Sequence, residues 1–242
     1  MAKVNGLNVR LYVEGYDLSG DANAISAMGY TNELLDVTTL DVSAQKRLVG
    51  IVDSEVTVDA WFDNAASKQH AVWTSNSGKL PTADQDVLIP MGAAVADPCV
   101  GLVAKQGTYT TAKAPGSAIT ATAAYSANGS AVEFGEMMTA HDDTHSSAGS
   151  GTVVDSGAAS TNGGAGYLQV LSVASGSVTV NLQESTSSGG SYANFMTFST
   201  VAAAAAPTSE RLTMSGNVAR YLRVTTTGTF SNAVIAVGFA RL

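Results

Sequence analysis

Hydrophobic and polar positions alternate through most of the chain in short runs divided by Gly, Pro, Asn and Ser, the period-two pattern of strands. The clearest run is Ser54 to Phe62. It sets Val56, Val58, Ala60 and Phe62 on one face and Glu55, Thr57, Asp59 and Trp61 on the other, as a half-buried strand requires. Before it, Leu7 to Val13 alternates imperfectly and runs into the turn formers Glu14 to Gly20, which predicts an opening β-hairpin. Ala24 to Met28 fits a short strand, and Asn32 to Gly50 holds no sustained period and reads as a long loop. Asp63 offers an N-cap to Asn64 to Asn76, where Ala66, His70 and Trp73 fall at helical spacing, so one short helix is expected there, closed by Gly78 and Pro81. Strand candidates follow at Gln85 to Met91, Ala94 to Lys105, Gly107 to Lys113, Ile119 to Ala127 and Val132 to Met138.

From His141 to Gly166 the composition narrows to Ser, Gly, Ala, Thr and Asp, which is linker chemistry broken by a short strand at Thr152 to Asp155. Six more short strands are predicted at Tyr167 to Ala174, Ser177 to Glu184, Phe195 to Val201, Glu210 to Met214, Arg220 to Thr226 and Ala233 to Arg241. Their close spacing indicates a small β-sandwich or jelly roll. The Ala202 to Ala206 run, stopped by Pro207, is too short for more than one helical turn and reads as a loop. The expected organisation is therefore all-β with one short helix: a first module at 1–140, a Gly/Ser-rich linker at 141–166, and a small β-sandwich at 167–242.

Composition sharpens this picture. Hydrophobic residues make up 45% of the 242 and charged residues 13%, the latter about half of ordinary usage. The surface must then be covered by Ser, Thr, Asn, Gly and Ala, which carry little charge repulsion between copies. The net charge of −8 is uneven, with 15 Asp+Glu against 8 Lys+Arg in residues 1–140 and 5 against 4 beyond. An acidic surface repels a phosphate backbone and argues against tight nucleic-acid binding, while suiting the wall of a DNA conduit. No basic patch interleaved with aromatics opposes that reading. The single Cys99 forms no intrachain disulfide, and with three histidines a Cys/His zinc cage is excluded. Met1 to Gly6 holds no signal-peptide core and no 18-residue apolar stretch occurs, so the chain is expected to be made and folded in the cytoplasm, without a membrane partner.

The chemistry-bearing residues point mostly to bland roles. His141, Asp142, Asp143 and His145 have a spacing that fits a divalent cation, but a solvated charge cluster at a linker mouth accounts for them. No G-x-S-x-G frame positions a serine nucleophile, and the Gly-rich runs lack the Lys-Ser/Thr of a phosphate loop. No enzyme activity, metal or cofactor is expected. Asn128-Gly129-Ser130 reads as a hairpin turn and Cys99 as a buried, inert thiol. Trp61 and Trp73 are expected to pack helix on sheet, whereas Tyr167, Tyr192 and Tyr221 are the residues most open to stacking on a glycan.

One segment carries a resemblance. Val13-Glu14-Gly15-Tyr16-Asp17-Leu18-Ser19-Gly20-Asp21-Ala22, then Glu33 to Leu40, a Lys46-Arg47-Leu48-Val49-Gly50 step and Val58-Asp59-Ala60-Trp61-Phe62-Asp63, resembles in word order the start of siphophage tail tube (major tail) proteins, over roughly residues 1–140. The resemblance implies a β-sandwich with a flanking helix, six copies closing into a ring whose inner strands form one barrel, and rings stacking through the long loop. DNA would pass through the bore without tight binding, and tape measure and tail terminator proteins would be further partners in the virion tail. It also implies that Asp36, Thr39, Leu40, Arg47 and Leu48 are inter-subunit or inter-ring contacts. The second module resembles Ig-like or jelly-roll decorations of phage tubes and capsids. Two other readings stand beside this one: a capsid decoration or cement protein, and a carbohydrate-binding adhesin module.

Overall fold

The computed structural model describes residues 8–75 and 77–242. Met1 to Gly6, the first residue of the expected opening strand (Leu7) and the last residue of the expected helix (Asn76) lie outside the described residues. The first half holds β1 (Tyr12–Val13), β2 (Tyr16–Asp17), β3 (Ala22–Asp36), β4 (Arg47–Trp61), helix α1 (Gln69–Trp73), β5 (Gln85–Pro90), β6 (Pro98–Ala112), β7 (Thr120–Ala127) and β8 (Glu133–Met137). Then come β9 (Asp143–His145), β10 (Gly149–Ser150), β11 (Val154–Asp155), β12 (Gly164–Ser185), β13 (Ala193–Thr197), β14 (Val201–Ala202), β15 (Thr208–Met214), β16 (Tyr221–Thr227) and β17 (Phe230–Arg241). The alanine run makes one 3-10 turn at Ala203–Ala205.

Every strand pairing is antiparallel, and two strands are long enough to serve two sheets. The first part of β6 lies between β5 and β8, while its end leaves them to pair with β7 after a register shift between Gln106 and Thr108. In β12, Gly164 to Val170 lies between β15 and β17, and after a shift between Val170 and Ser172 the strand goes on to meet β14, β16 and β13. Bulges of this kind bend a strand from one sheet into another. The β6 bulge also explains a correction: Ala94–Lys105 and Gly107–Lys113 read as separate strands, yet they are one; Tyr167–Ala174 and Ser177–Glu184 are likewise one strand, paired with β17 through the expected break. Gly176, between two of the expected strands, sits within β12 at φ 77°, where a Cβ would lie 2.0 Å from the Thr229 carbonyl oxygen.

The expected long loop at Asn32–Gly50 is corrected more sharply. Strands β3 and β4 pair as far as Asp36 opposite Arg47, so only residues between those two form a loop. The helix is also shorter than expected. Lys68, in extended backbone and without a side-chain bond, stands at its N-cap. Asp63 instead turns the chain ahead of it: its Oδ1 accepts from the Ala65 amide at 2.8 Å and its carbonyl from the His70 amide at 3.2 Å. Trp73 is fully buried and meets Tyr109 edge-on, fixing the helix beneath β6 and β7. Trp61, by contrast, is half exposed.

Over 141–166, β9 pairs with β17, and β10 and β11 pair with β16. Strand β8 pairs with β6 on one side and with β17 on the other, so one sheet runs β2-β1-β5-β6-β8-β17-β12-β15 through residues from both halves. Each half has its own apolar core. Between them lies a third cluster of Tyr12, Leu88, Cys99, Met137, Tyr167 and Ala236 with Ala165. Its centre is a close approach, since a Cβ on Gly101 would stand 2.2 Å from the Tyr167 ring. Tyr167 donates from its hydroxyl to Glu133, and Arg211 bridges the same carboxylate, donating from Nε at 3.2 Å and from Nη2. The carboxylate and guanidinium are largely buried, so the pair is stable only while both members are present.

Gly101→Ala forces that ring aside and is expected to cost about 1–3 kcal/mol in urea unfolding, whereas Gly107→Ala, with its nearest neighbour 4.0 Å away at Ser126 Oγ, leaves stability close to that of the parent chain.

Candidate assembly surface

The β3–β4 hairpin leaves the body of the molecule after Ser54, the last buried residue of its outer part, and from Tyr30 to Asp53 almost every side chain is exposed. Its register sets Leu35 opposite Leu48 and Leu34 opposite Val49. Neighbouring residues of a strand point to opposite faces, so Leu34–Val49 lies on one face and Leu35–Leu48 on the other. Val52 and Ile51, the latter 79% exposed, extend the apolar surface toward the body. A two-stranded ribbon with apolar side chains on both faces is marginal in water by itself. At its base Tyr30 meets Phe134 of β8 edge-on with ring centroids 6.4 Å apart, both rings more than half exposed.

The residues assigned to inter-subunit contact in the sequence all gather at the free end of this hairpin. Asp36 and Arg47 close it as a cross-strand pair, Thr39 and Leu40 lie in the loop between them with Leu40 fully exposed, and Leu48 begins the return strand. The loop is held by local polar bonds. Asp36 Oδ1 accepts from the Thr38 amide at 2.9 Å and from its hydroxyl at 2.5 Å, and these donors hold the Asp36 carboxyl below its usual range. Thr39 donates likewise to Asp41, lowering that carboxyl, and Arg47 donates to Gln45. What the sequence reading lacked was the apolar flank of Leu34, Leu35, Val49, Ile51 and Val52. Its signal was there in three apolar doublets, Leu34-Leu35, Leu48-Val49 and Ile51-Val52, which break the alternation because both faces of the ribbon are apolar.

The sheet from which the hairpin rises runs β3-β4-β7-β6 and, among the described residues, ends on both sides without a partner. Strand β3 pairs only with β4, and the Thr108–Ala112 stretch of β6 only with β7. With each pairing antiparallel, the two open edges run in opposite directions. Its inner face packs Val56, Val58, Ala121, Ala123 and Tyr125 into the core. Its outer face is polar and acidic: Glu55 accepts from the Thr57 hydroxyl at 2.6 Å, and Asp59 from the Thr122 hydroxyl at 2.7 Å.

The other singled-out residues are placed as follows. Asp142 accepts from the Tyr12 hydroxyl at 2.7 Å and pairs with Arg10 at 3.2 Å, His141 lies 3.2 Å from Asp142, and His145 lies 3.2 Å from Asp143. These contacts tie the N-terminal strand to the 141–145 segment. Among the described residues no three His, Cys, Asp or Glu side chains gather as a metal site. Cys99 is buried, and desolvation pushes its thiol up to about 12. Tyr167 is in the core, while Tyr192 and Tyr221 lie beneath the guanidinium groups of Arg223 and Arg220, at 4.1 and 5.1 Å. None of the three offers an open aromatic platform for a sugar.

No family model and no curated protein matches the chain. Among solved structures, it is similar to a chain of the virion of a native gene transfer agent particle, with 17% identity, 55% of this chain and 98% of that one covered, and a TM-score of 0.41. It is also similar to a chain from the tail of an empty gene transfer agent particle with C6 symmetry, at 15% identity, 55% and 98% coverage and a TM-score of 0.40. A third likeness is to the Dit protein of phage SPP1, at 10% identity, 96% and 99% coverage and a TM-score of 0.36.

Replacing Leu34, Leu35, Leu48 and Val49 together by Ser removes surface that is already in water. Urea stability is expected to hold within about 0.5 kcal/mol for each site, while fluorescence of a dye that reports exposed apolar surface falls; unchanged dye fluorescence would contradict the exposed ribbon.

Proposed function

We propose that this chain is a structural subunit of a phage tail, one that assembles with copies of itself into stacked rings forming a tube for DNA. The observation that carries this reading is the β3-β4-β7-β6 sheet with two unpaired, oppositely directed edges. Unpaired edges seek partners. Here the β3 edge of one copy extends the sheet when laid against the β6 edge of the next with the antiparallel alternation kept. Such a contact is head-to-tail, and a head-to-tail contact closes into a ring when its rotation divides the circle.

In this reading the sheets of successive copies form one barrel, six copies to a ring as the tail-tube resemblance suggests. The outer acidic face with Glu55 and Asp59 lines the bore, where it avoids the phosphate contacts that would hold DNA. The hairpin, apolar on both faces, lies between molecules, with Asp36, Thr39, Leu40, Arg47 and Leu48 reaching a neighbouring ring. Residues 1–140 form the ring, with 167–242 outside it. The role is assembly rather than catalysis, and tape measure and terminator proteins would start and stop the tube.

The test is negative-stain electron microscopy of the full chain at high concentration. Six-fold rings or tubes with a central hole support the proposal; trimers or stable monomers overturn it and favour a capsid decoration role. Leu35→Lys with Leu48→Lys is expected to abolish tubes seen with the parent chain while leaving its circular dichroism spectrum unchanged, because both side chains are exposed in the single subunit.

A further inference from the structure

The turn between β1 and β2 meets the second half of the chain at a place where two carboxylates share one hydroxyl. The Ser209 side chain of β15 lies 3.2 Å from Glu14 Oε1 and 3.2 Å from Asp86 Oδ2. Around it the backbone is firmly held. Glu14 Oε1 accepts from the Asp86 amide at 2.6 Å, Gln169 of β12 accepts from the Gly15 amide at 2.6 Å, and Gln169 Nε2 donates to the Asp86 carbonyl at 3.1 Å. Gly15, at φ 80°, lets this turn approach β15, since a Cβ there would lie 2.3 Å from the Thr208 nitrogen.

The hydrogen count at Ser209 is short by one. A hydroxyl has a single hydrogen to donate, so with both carboxylates ionised one acidic oxygen faces a lone pair. Protonating either carboxyl supplies the missing hydrogen, because the new O–H can donate to Ser209 while Ser209 donates to the other carboxylate. The groups facing the pair relieve it only in part: the charge and backbone amide of Arg211 favour an ionised Asp86, but desolvation by burial outweighs them. Arg211 on β15 is engaged by Glu133 and Tyr167, Glu210 beside it is a further negative charge, and Tyr125 of β7 is neutral at any physiological pH, its hydroxyl pushed up by burial.

The geometry points to the Glu14–Asp86–Ser209 contact as an acid-strengthened latch between the two halves, complete when one carboxyl carries a proton and weakened when both are ionised. Desolvation raises both carboxyls above their ordinary range, in agreement with this arrangement. A carboxyl raised in the folded state favours folding under acid conditions, and that contribution is lost as the pH rises through its folded value. The latch therefore loosens as the pH rises through the raised values of these carboxyls, opposite to the usual behaviour of an ion-paired carboxylate.

The test uses the full chain between pH 5 and pH 8. Amide hydrogen exchange at Gly15 and Asp86, corrected for intrinsic rates, is expected to speed up toward pH 8 by about tenfold relative to β16 amides in the parent chain. Glu14→Gln with Asp86→Asn keeps the accepting oxygens and adds N–H donors, so protection at these amides should be high and independent of pH. Ser209→Ala removes the shared hydroxyl and should lower protection at both ends of the range. Equal pH profiles for the parent chain and the double variant, or protection in the parent that rises toward pH 8, would overturn the latch.

Discussion

A strand can hydrogen-bond along two edges, and β8 uses both: β6 lies on one side and β17, from the end of the described chain, on the other. The rest of the architecture depends on that shared strand. It makes the central sheet continuous between the halves, brings Tyr167 of β12 over Gly101 of β6, and sets Glu133 of β8 where Arg211 of β15 can reach it. With both edges of β8 taken, the unpaired edges lie elsewhere, among them those of β3 and of the end of β6. The places where the molecule is closed to partners and the places where it is open thus follow from one pairing.

The same division appears in the chemistry. Where the halves meet, polar groups are buried or partly buried and answered by one another: Arg10, Tyr12 and Asp142 at one point, Glu133, Tyr167 and Arg211 at another. On the hairpin the polar groups of the loop answer one another, and the apolar side chains beyond Tyr30 stay exposed. An exposed polar surface would be ordinary. An exposed apolar ribbon projecting from an otherwise well-packed body is not, and its composition resembles the inside of an interface more than a solvated loop.

Many strands were legible because burial on one face imposes alternation, as in the inner part of β4 and in β7, or because a short apolar run lies between turn formers, as in β5 and β17. Two kinds of element were not. Strands such as β6 and β12 carry Gly and polar residues in mid-strand, at Gln106-Gly107 and Ser175-Gly176, and in a sequence these look like turns; only the partner strands show that pairing continues through them. The hairpin end failed for a different reason, since alternation marks a strand with one wet face, and both faces here are apolar. Of the short pairings in 141–166, β11 falls within the strand expected at Thr152–Asp155, whereas β9 and β10 are hidden; β10 draws its hydrogen bonds from β16 and needs no apolar run of its own. The site residues Asp36, Thr39, Leu40, Arg47 and Leu48 came from word order in the resemblance, not from any physical signal in their side chains, whereas their clustering at one end is a property of the register.

The pairing of β8 with β17 also orders events in time. Joining residues about a hundred positions apart costs loop-closure entropy before any pairing returns it, and sheets built from such distant partners fold slowly. During synthesis the first half can form its own core while one side of β8 stays bare until β17 has been made. A nascent chain therefore passes through a stage in which the β8 edge is also open, and that edge sits beside an apolar cluster that only the second half completes. Contact between unfinished copies would use that transient edge, and it is the arrival of β17 that closes it.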